Sequence, residues 1–151
     1  MLKRTYEDQN CSIARTLELV GERWTLLIVR DAVLGLRRFD EFQQSLGVAR
    51  NVLTERLNWL VAEGILEREA YSERPPRFEY RLTEKGRELV LPLIALMQWG
   101  DRHLSEKPPR VAHRRSDRSK IRAALVAQDG AVVSPTEVEV VAGPGLSAAQ
   151  R

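Results

Sequence analysis

Arg50, Asn51, Thr54 and Asn58 are the side chains whose types and spacing come closest to a defined chemistry. At about 100° per helical residue, Asn51, Thr54, Glu55 and Asn58 fall on one side of the segment Asn51–Glu63, with Leu53, Leu57 and Leu60 opposite. Arginine offers two parallel donors that match guanine O6 and N7, and asparagine pairs a donor and an acceptor with adenine N6 and N7. The chemistry available on this face is therefore the reading of base edges. The plainer alternative is an ordinary solvated helix face, and only the surrounding elements choose between them.

Two further arginine pairs flank this segment. Arg37 and Arg38 precede a short helix expected from Phe39 to Leu46, where free helix amides and two cations could grip phosphate together. A pair of plain surface arginines is the competing reading. Arg74 and Arg77 bracket Pro75 and Pro76 in a turn that has no core to serve, although Arg77 could instead pair with Glu79. Arg56 points toward the apolar stripe and suits a structural ion pair.

Cys11 precedes the first expected helix, where helix amides and Arg15 one turn on would favour a thiolate. A small, partly buried side chain is the simpler reading. As the chain's single cysteine, Cys11 excludes an internal disulfide framework and fits a reducing, cytoplasmic compartment. No catalytic set is present: His103 and His113 belong to no metal-ligand spacing, and neither a phosphate loop nor a nucleophile elbow occurs. The expectation is no enzyme, no metal and no cofactor.

The elements that must position these residues follow from periodicity. Ile13, Leu17 and Val20 mark a first helix, and Trp24–Leu34 is apolar on nearly every side, as for a central buried helix. The helix over Phe39–Leu46 stops at Gly47, and the segment from Asn51 ends at Gly64. Ile65–Ser72 and Phe78–Leu82 read as strands around the proline turn, because neither proline can donate to a ladder. Thr83 caps a long helix to about Leu104, with Pro92 inside it as a kink or a local gap in its hydrogen bonds. Trp24 and Trp59 are expected in the core. Helix pair, hairpin and closing helix, in that order, match a winged helix-turn-helix whose second helix enters the major groove.

Bulk composition agrees without deciding the matter. The chain is 43% hydrophobic and 30% charged, ordinary for a soluble domain, and no apolar run suits a membrane span or a secretion signal. Seven basic residues lie between Ser105 and Arg122 against Glu106 and Asp117, a local charge of +5. The whole chain carries +3, so the remainder is −2, and net charge alone cannot argue for a nucleic-acid partner. Residues 1–104 are read as the DNA-binding and dimerisation domain, 105–122 as a basic linker, and 123–151 as a small β-rich or partly disordered extension with a hairpin signal at Asp129–Gly130. The basic run is usually a solvated linker; its other reading is an arm adding non-specific phosphate contacts.

Four motifs stand in order: Gly21-x-x-Trp24-Thr-Leu-Leu-Ile28, Arg37-Arg38-Phe39-x-Glu41-Phe42, Leu53-Thr54-x-Arg56-Leu57-x-x-Leu60, and Pro75-Pro76-Arg77-x-Glu79-Tyr80-x-Leu82-Thr83-x-Lys85-Gly86. Over about residues 10–104 the chain resembles the HxlR-type winged helix-turn-helix regulators. The resemblance implies a mainly α fold with a small β-wing, and a homodimer built from the N-terminal and C-terminal helices. Leu17, Leu93, Met97 and Trp99 are its candidate interface residues. It also implies a sequence-specific regulator, a repressor in this reading, whose partner is double-stranded operator DNA. Some family members sense oxidants or electrophiles through an N-terminal cysteine at a place matching Cys11, so an oxidant or electrophile is the implied effector; a small-molecule ligand held in a cavity between the dimer helices is the other option. One departure stands out: Ala49 occupies the place where the family commonly has Ser or Thr before the recognition helix. Loss of that cap costs about 1 kcal/mol, and Asn51 is the substitute expected here. A winged-helix module for protein–protein contact, without specific DNA binding, is the alternative.

Overall fold

The computed structural model describes residues 5–6, 9–147 and 149, which divide between Leu93 and Ile94 into two compact units. Four helices come first: α1 (Ser12–Val20), α2 (Thr25–Val33), α3 (Phe39–Leu46) and α4 (Arg50–Ala62). The antiparallel strands β1 (Leu66–Glu73) and β2 (Pro76–Leu82) follow, then the short α5 (Glu84–Arg87) and α6 (Val90–His103). This is the mainly helical winged helix-turn-helix that the periodicities predict.

The stripe of α4 does what its spacing requires. Leu53, Leu57 and Leu60 are fully buried, one above another, and meet Phe42 of α3 and Ile28 and Val29 of α2. Full burial of such a side chain contributes roughly 1.5–3 kcal/mol, so this small cluster holds α4 against α2 and α3. Gly47 adopts φ 62° at the end of α3, the left-handed conformation that lets the chain turn within three residues into α4.

The wing is tied into this core at both ends. Leu66 pairs with Leu82, and Thr83 locks the exit: its hydroxyl donates to the Gly64 carbonyl at 2.6 Å and accepts from the Gly86 amide at 3.0 Å. Gly86 passes so close that a Cβ there would stand 2.1 Å from the Ile65 carbonyl oxygen. The Thr-x-x-Gly spacing thus has a packing reason. A third edge joins the sheet, because the Tyr80 amide donates to the Arg37 carbonyl at 2.7 Å and Arg38 bridges Glu79 in antiparallel fashion.

Several expectations need correction. The helix after Thr83 is not continuous: α5 ends at Arg87 and α6 restarts at Val90. Pro92 has no amide to give the Glu88 carbonyl, and placing it in the first turn of a new helix removes that conflict. Pro76 opens β2, the position in a strand where a missing donor matters least. The second helix is not buried all round, since Ile28 and Val29 are enclosed while Leu27, Val33 and Leu34 remain exposed. Trp59 is 39% exposed and not a core residue; its indole N–H donates to the Leu19 carbonyl at 2.9 Å and ties α4 to α1. Trp24 is half-buried against the core.

The second unit holds β3 (Leu125–Val126) and β4 (Val132–Val133), an antiparallel hairpin with Asp129 and Gly130 in its turn, and a short 3-10 turn over Pro135–Glu137. Among the described residues no helix is long and apolar enough to cross a membrane.

Candidate nucleic-acid interface

Arg50, Thr54 and Asn58 recur every fourth residue, so they stack on one face of α4. That face and the wing enclose a concave groove of about 590 Å³, to which the wing adds Arg68, Tyr71 and Arg77, and α3 adds Phe39 and Asp40. Three arginines against one carboxylate leave the groove positive.

Aromatic rings hold the arginines. The Arg50 guanidinium lies 4.6 Å over Phe39, and that of Arg68 lies 4.3 Å over Phe78. Each stack contributes about 0.5–1 kcal/mol at an exposed site and fixes the plane of the donor fork. Thr54 has its hydroxyl proton engaged with the Arg50 carbonyl at 2.8 Å, so its oxygen remains only as an acceptor beside a methyl group.

The start of α4 differs from expectation. Ala49 is the N-cap, extended at φ −60° and ψ 144°, with no side-chain cap; Arg50 is already helical and Asn51 lies within the first turn. Asn51 is therefore not a substitute cap, because a cap must stand outside the helix to reach its amides. Ala49 offers the first-turn amides no side-chain acceptor, an arrangement that suits a phosphate oxygen. Asn51 is exposed and lies about 20° around the helix from Asn58 but about 100° from Arg50; it does not line the groove.

Arg37 and Arg38 do different things. Both their amides donate to Glu41, at 2.8 and 2.9 Å, which completes the first turn of α3 and lowers the Glu41 carboxyl below its ordinary range. The Arg38 side chain is committed to the wing, 3.5 Å from the Glu79 carboxylate and 4.6 Å from the Tyr71 ring centre. Arg37 keeps an exposed side chain for which no ion pair is found among the described residues. Arg74 and Arg77 are exposed at the wing tip, where Ser72 donates to the Pro75 carbonyl at 3.0 Å. Glu79 is taken by Arg38 and by Arg81 at 3.2 Å, and no pair with Arg77 is found among the described residues. Arg56 is mostly buried and pairs with Glu22 and Glu55.

Sequence reasoning missed Phe39, Arg68 and Tyr71. The strand register carries part of the signal, since Arg68 stands opposite Tyr80 beside the groove. Tyr71 was not legible: the register slips between Ala70 and Ser72, and this bulge re-aims the side chain.

Cys11 is exposed and forms the N-cap of α1 without a side-chain hydrogen bond. Arg15, expected to act on the thiol, donates instead to Asn10 Oδ1 at 3.2 Å. Leu17 and Trp99 are exposed, whereas Leu93 packs half-buried against the core and Met97 is half-buried. Among the described residues no cluster could hold a metal ion.

A family model described as HxlR-like helix-turn-helix matches residues 19–108. An uncharacterized HTH-type transcriptional regulator of Mycobacterium tuberculosis is 43% identical over 140 residues, covering 91% of this chain and 89% of the relative. The crystal structure of PA1607, assigned as a transcription factor, superposes with a TM-score of 0.79 at 36% identity over 90% of this chain and 97% of its own. The redox regulator HypR in its reduced form gives 0.58 at 33% identity, covering 64% of this chain and 98% of its own.

Proposed function

The chain belongs to the HxlR-like helix-turn-helix family of transcriptional regulators, and from that premise we propose that it reads operator sequence as a C2 homodimer and acts as a repressor. Each protomer inserts α4 into the major groove of one half-site, the half-sites lying about one helical turn apart. The observation that carries this reading is the groove between α4 and the wing, where Arg50 and Arg68 are held on aromatic faces beside Asn58. Arg50 and Asn58 read bases, with Asn51 and Thr54 beside them. Arg37, Arg74 and Arg77 contact phosphate, and Arg38 acts indirectly, by holding the wing that carries two of them.

Exposed apolar side chains support the dimer: Leu17 on α1, and Leu96 and Trp99 on α6, at 43%, 57% and 52% exposure. Leu93 and Met97 complete the interface. The thiol of Cys11 is the sensing group, a role supported by its exposure and by the likeness to the redox regulator HypR.

The test is selection of duplexes from a random-sequence pool by the full-length protein, followed by binding of the enriched sequence. Arg50→Ala with Asn58→Ala should reduce the preference for the enriched duplex over a mixed-sequence duplex by about 1–3 kcal/mol for each base that is no longer read. Failure to enrich any sequence would reject specific recognition.

A further inference from the structure

Residues 110–122 carry Arg110, Arg114, Arg115, Arg118, Lys120 and Arg122 against a single acid, Asp117. A solvated linker of this composition has no reason to hold a shape, because like charges repel. Here the segment is a closed loop. The Ile121 amide donates to the Ala112 carbonyl at 3.1 Å, His113 bridges Lys120, and the Arg114 amide donates to the Ser119 carbonyl at 2.8 Å. Asp117 is spent inside: one oxygen accepts from the amide and the hydroxyl of Ser119, the other from Arg114. Those bonds lower its carboxyl below the ordinary range. Arg118 takes the left-handed conformation at φ 60°, which a residue with a Cβ adopts only against steric resistance.

Gln98 of α6 clamps the returning strand of the loop. Its amide donates to the Ile121 carbonyl at 3.0 Å, and its side-chain oxygen accepts from the Ala123 amide at 2.8 Å. The only acid in the loop is thus neutralised by Arg114. Arg115, Arg118, Lys120 and Arg122 are exposed, and no ion pair with them is found among the described residues.

The geometry points to this loop as a second DNA-contacting surface, one that binds duplex phosphates without reading sequence. It rests on the operator-binding reading and adds to it a contact remote from α4 in the chain. Four exposed cations on a closed loop, with no ion pair found among the described residues, match a run of phosphates. The loop contains no Phe, Tyr or Trp on which the bases of a single strand could stack. Neutralisation by a polyanion also relieves the repulsion that the loop carries when free.

The test uses the full-length protein with two duplex probes, the one enriched from the random pool and a mixed-sequence duplex of about 30 base pairs, and a single strand of that length as control. Arg115, Arg118, Lys120 and Arg122 are replaced together by Gln. Each phosphate contact contributes about 0.9 to the slope of log affinity against log salt, so the slope should become shallower by about 2–4. Affinity should fall on both probes while their ratio stays constant. Replacing the three arginines by Lys should retain the slope, which separates charge from folding. A wild-type slope that the Gln variant leaves unchanged overturns the loop contact and leaves operator reading intact. A ratio that collapses with the slope overturns its sequence independence. A slope that changes on a single strand of the same length but not on duplex assigns the loop to a different nucleic acid. Wild-type protein that binds neither duplex overturns both readings.

Discussion

The Arg38 guanidinium stands 4.6 Å from the centre of the Tyr71 ring, joining the start of α3 to the bulged residue of β1. With Glu79 on its other side, Arg38 holds the wing against the helix pair. Arg38→Ala should therefore loosen the wing and weaken duplex binding about 5- to 10-fold, equivalent to roughly 1–1.4 kcal/mol. Amide exchange at Tyr80, whose N–H donates to the Arg37 carbonyl, should accelerate in the same variant. A change in salt slope of about 0.9 with unaltered Tyr80 exchange would mean that Arg38 is a phosphate contact instead.

Gly86 is held at its identity by the Ile65 carbonyl, which an added Cβ would meet at 2.1 Å. Gly86→Ala should destabilise the fold by about 1–3 kcal/mol, because the obstructing atom is backbone and cannot rotate away. Thermal unfolding would register this as a lower Tm; an unchanged Tm would show that α5 moves freely relative to β1.

Acid should weaken the start of α3. The Glu41 carboxyl is lowered by the backbone hydrogen bonds from Arg37 and Arg38, so it is more acidic folded than unfolded. A lowered carboxyl contributes stability that is present above the ordinary glutamate range and is lost as pH falls through the folded value. Glu41→Gln keeps an acceptor but removes the titration. The stability difference between wild type and Glu41→Gln should shrink on acidification below the ordinary glutamate range, as followed by denaturant unfolding. A pH-independent difference would contradict the assignment.

Thiol oxidation should act through Cys11 or not at all, since the chain has no other cysteine. Diamide should lower affinity for the enriched duplex in the wild type and leave Cys11→Ser unaffected. Any disulfide formed must link two molecules, so a dimer band on non-reducing gels is expected beside the loss of binding. Equal sensitivity of both proteins would exclude thiol control.

The frame of the fold was legible because periodicity reports directly on which face is buried. The Leu53, Leu57 and Leu60 stripe positioned α4, and Pro75–Pro76 between alternating runs marked the wing tip. The polar face of α4 followed by subtraction, which is why Arg50, Asn51, Thr54 and Asn58 could be named together, although Asn51 does not line the groove. Periodicity does not report what a side chain meets across the fold. Arg37 and Arg38 are adjacent and chemically equal in sequence, yet only Arg38 is drawn to Glu79 and Tyr71, through a bridge between segments far apart in the chain. Tyr71 reaches that contact through a register slip that no alternation pattern encodes. Local spacing follows from covalent geometry and so is written in the sequence. The partner of a long polar side chain depends on which segments pack together, and that was decided only when the chain folded.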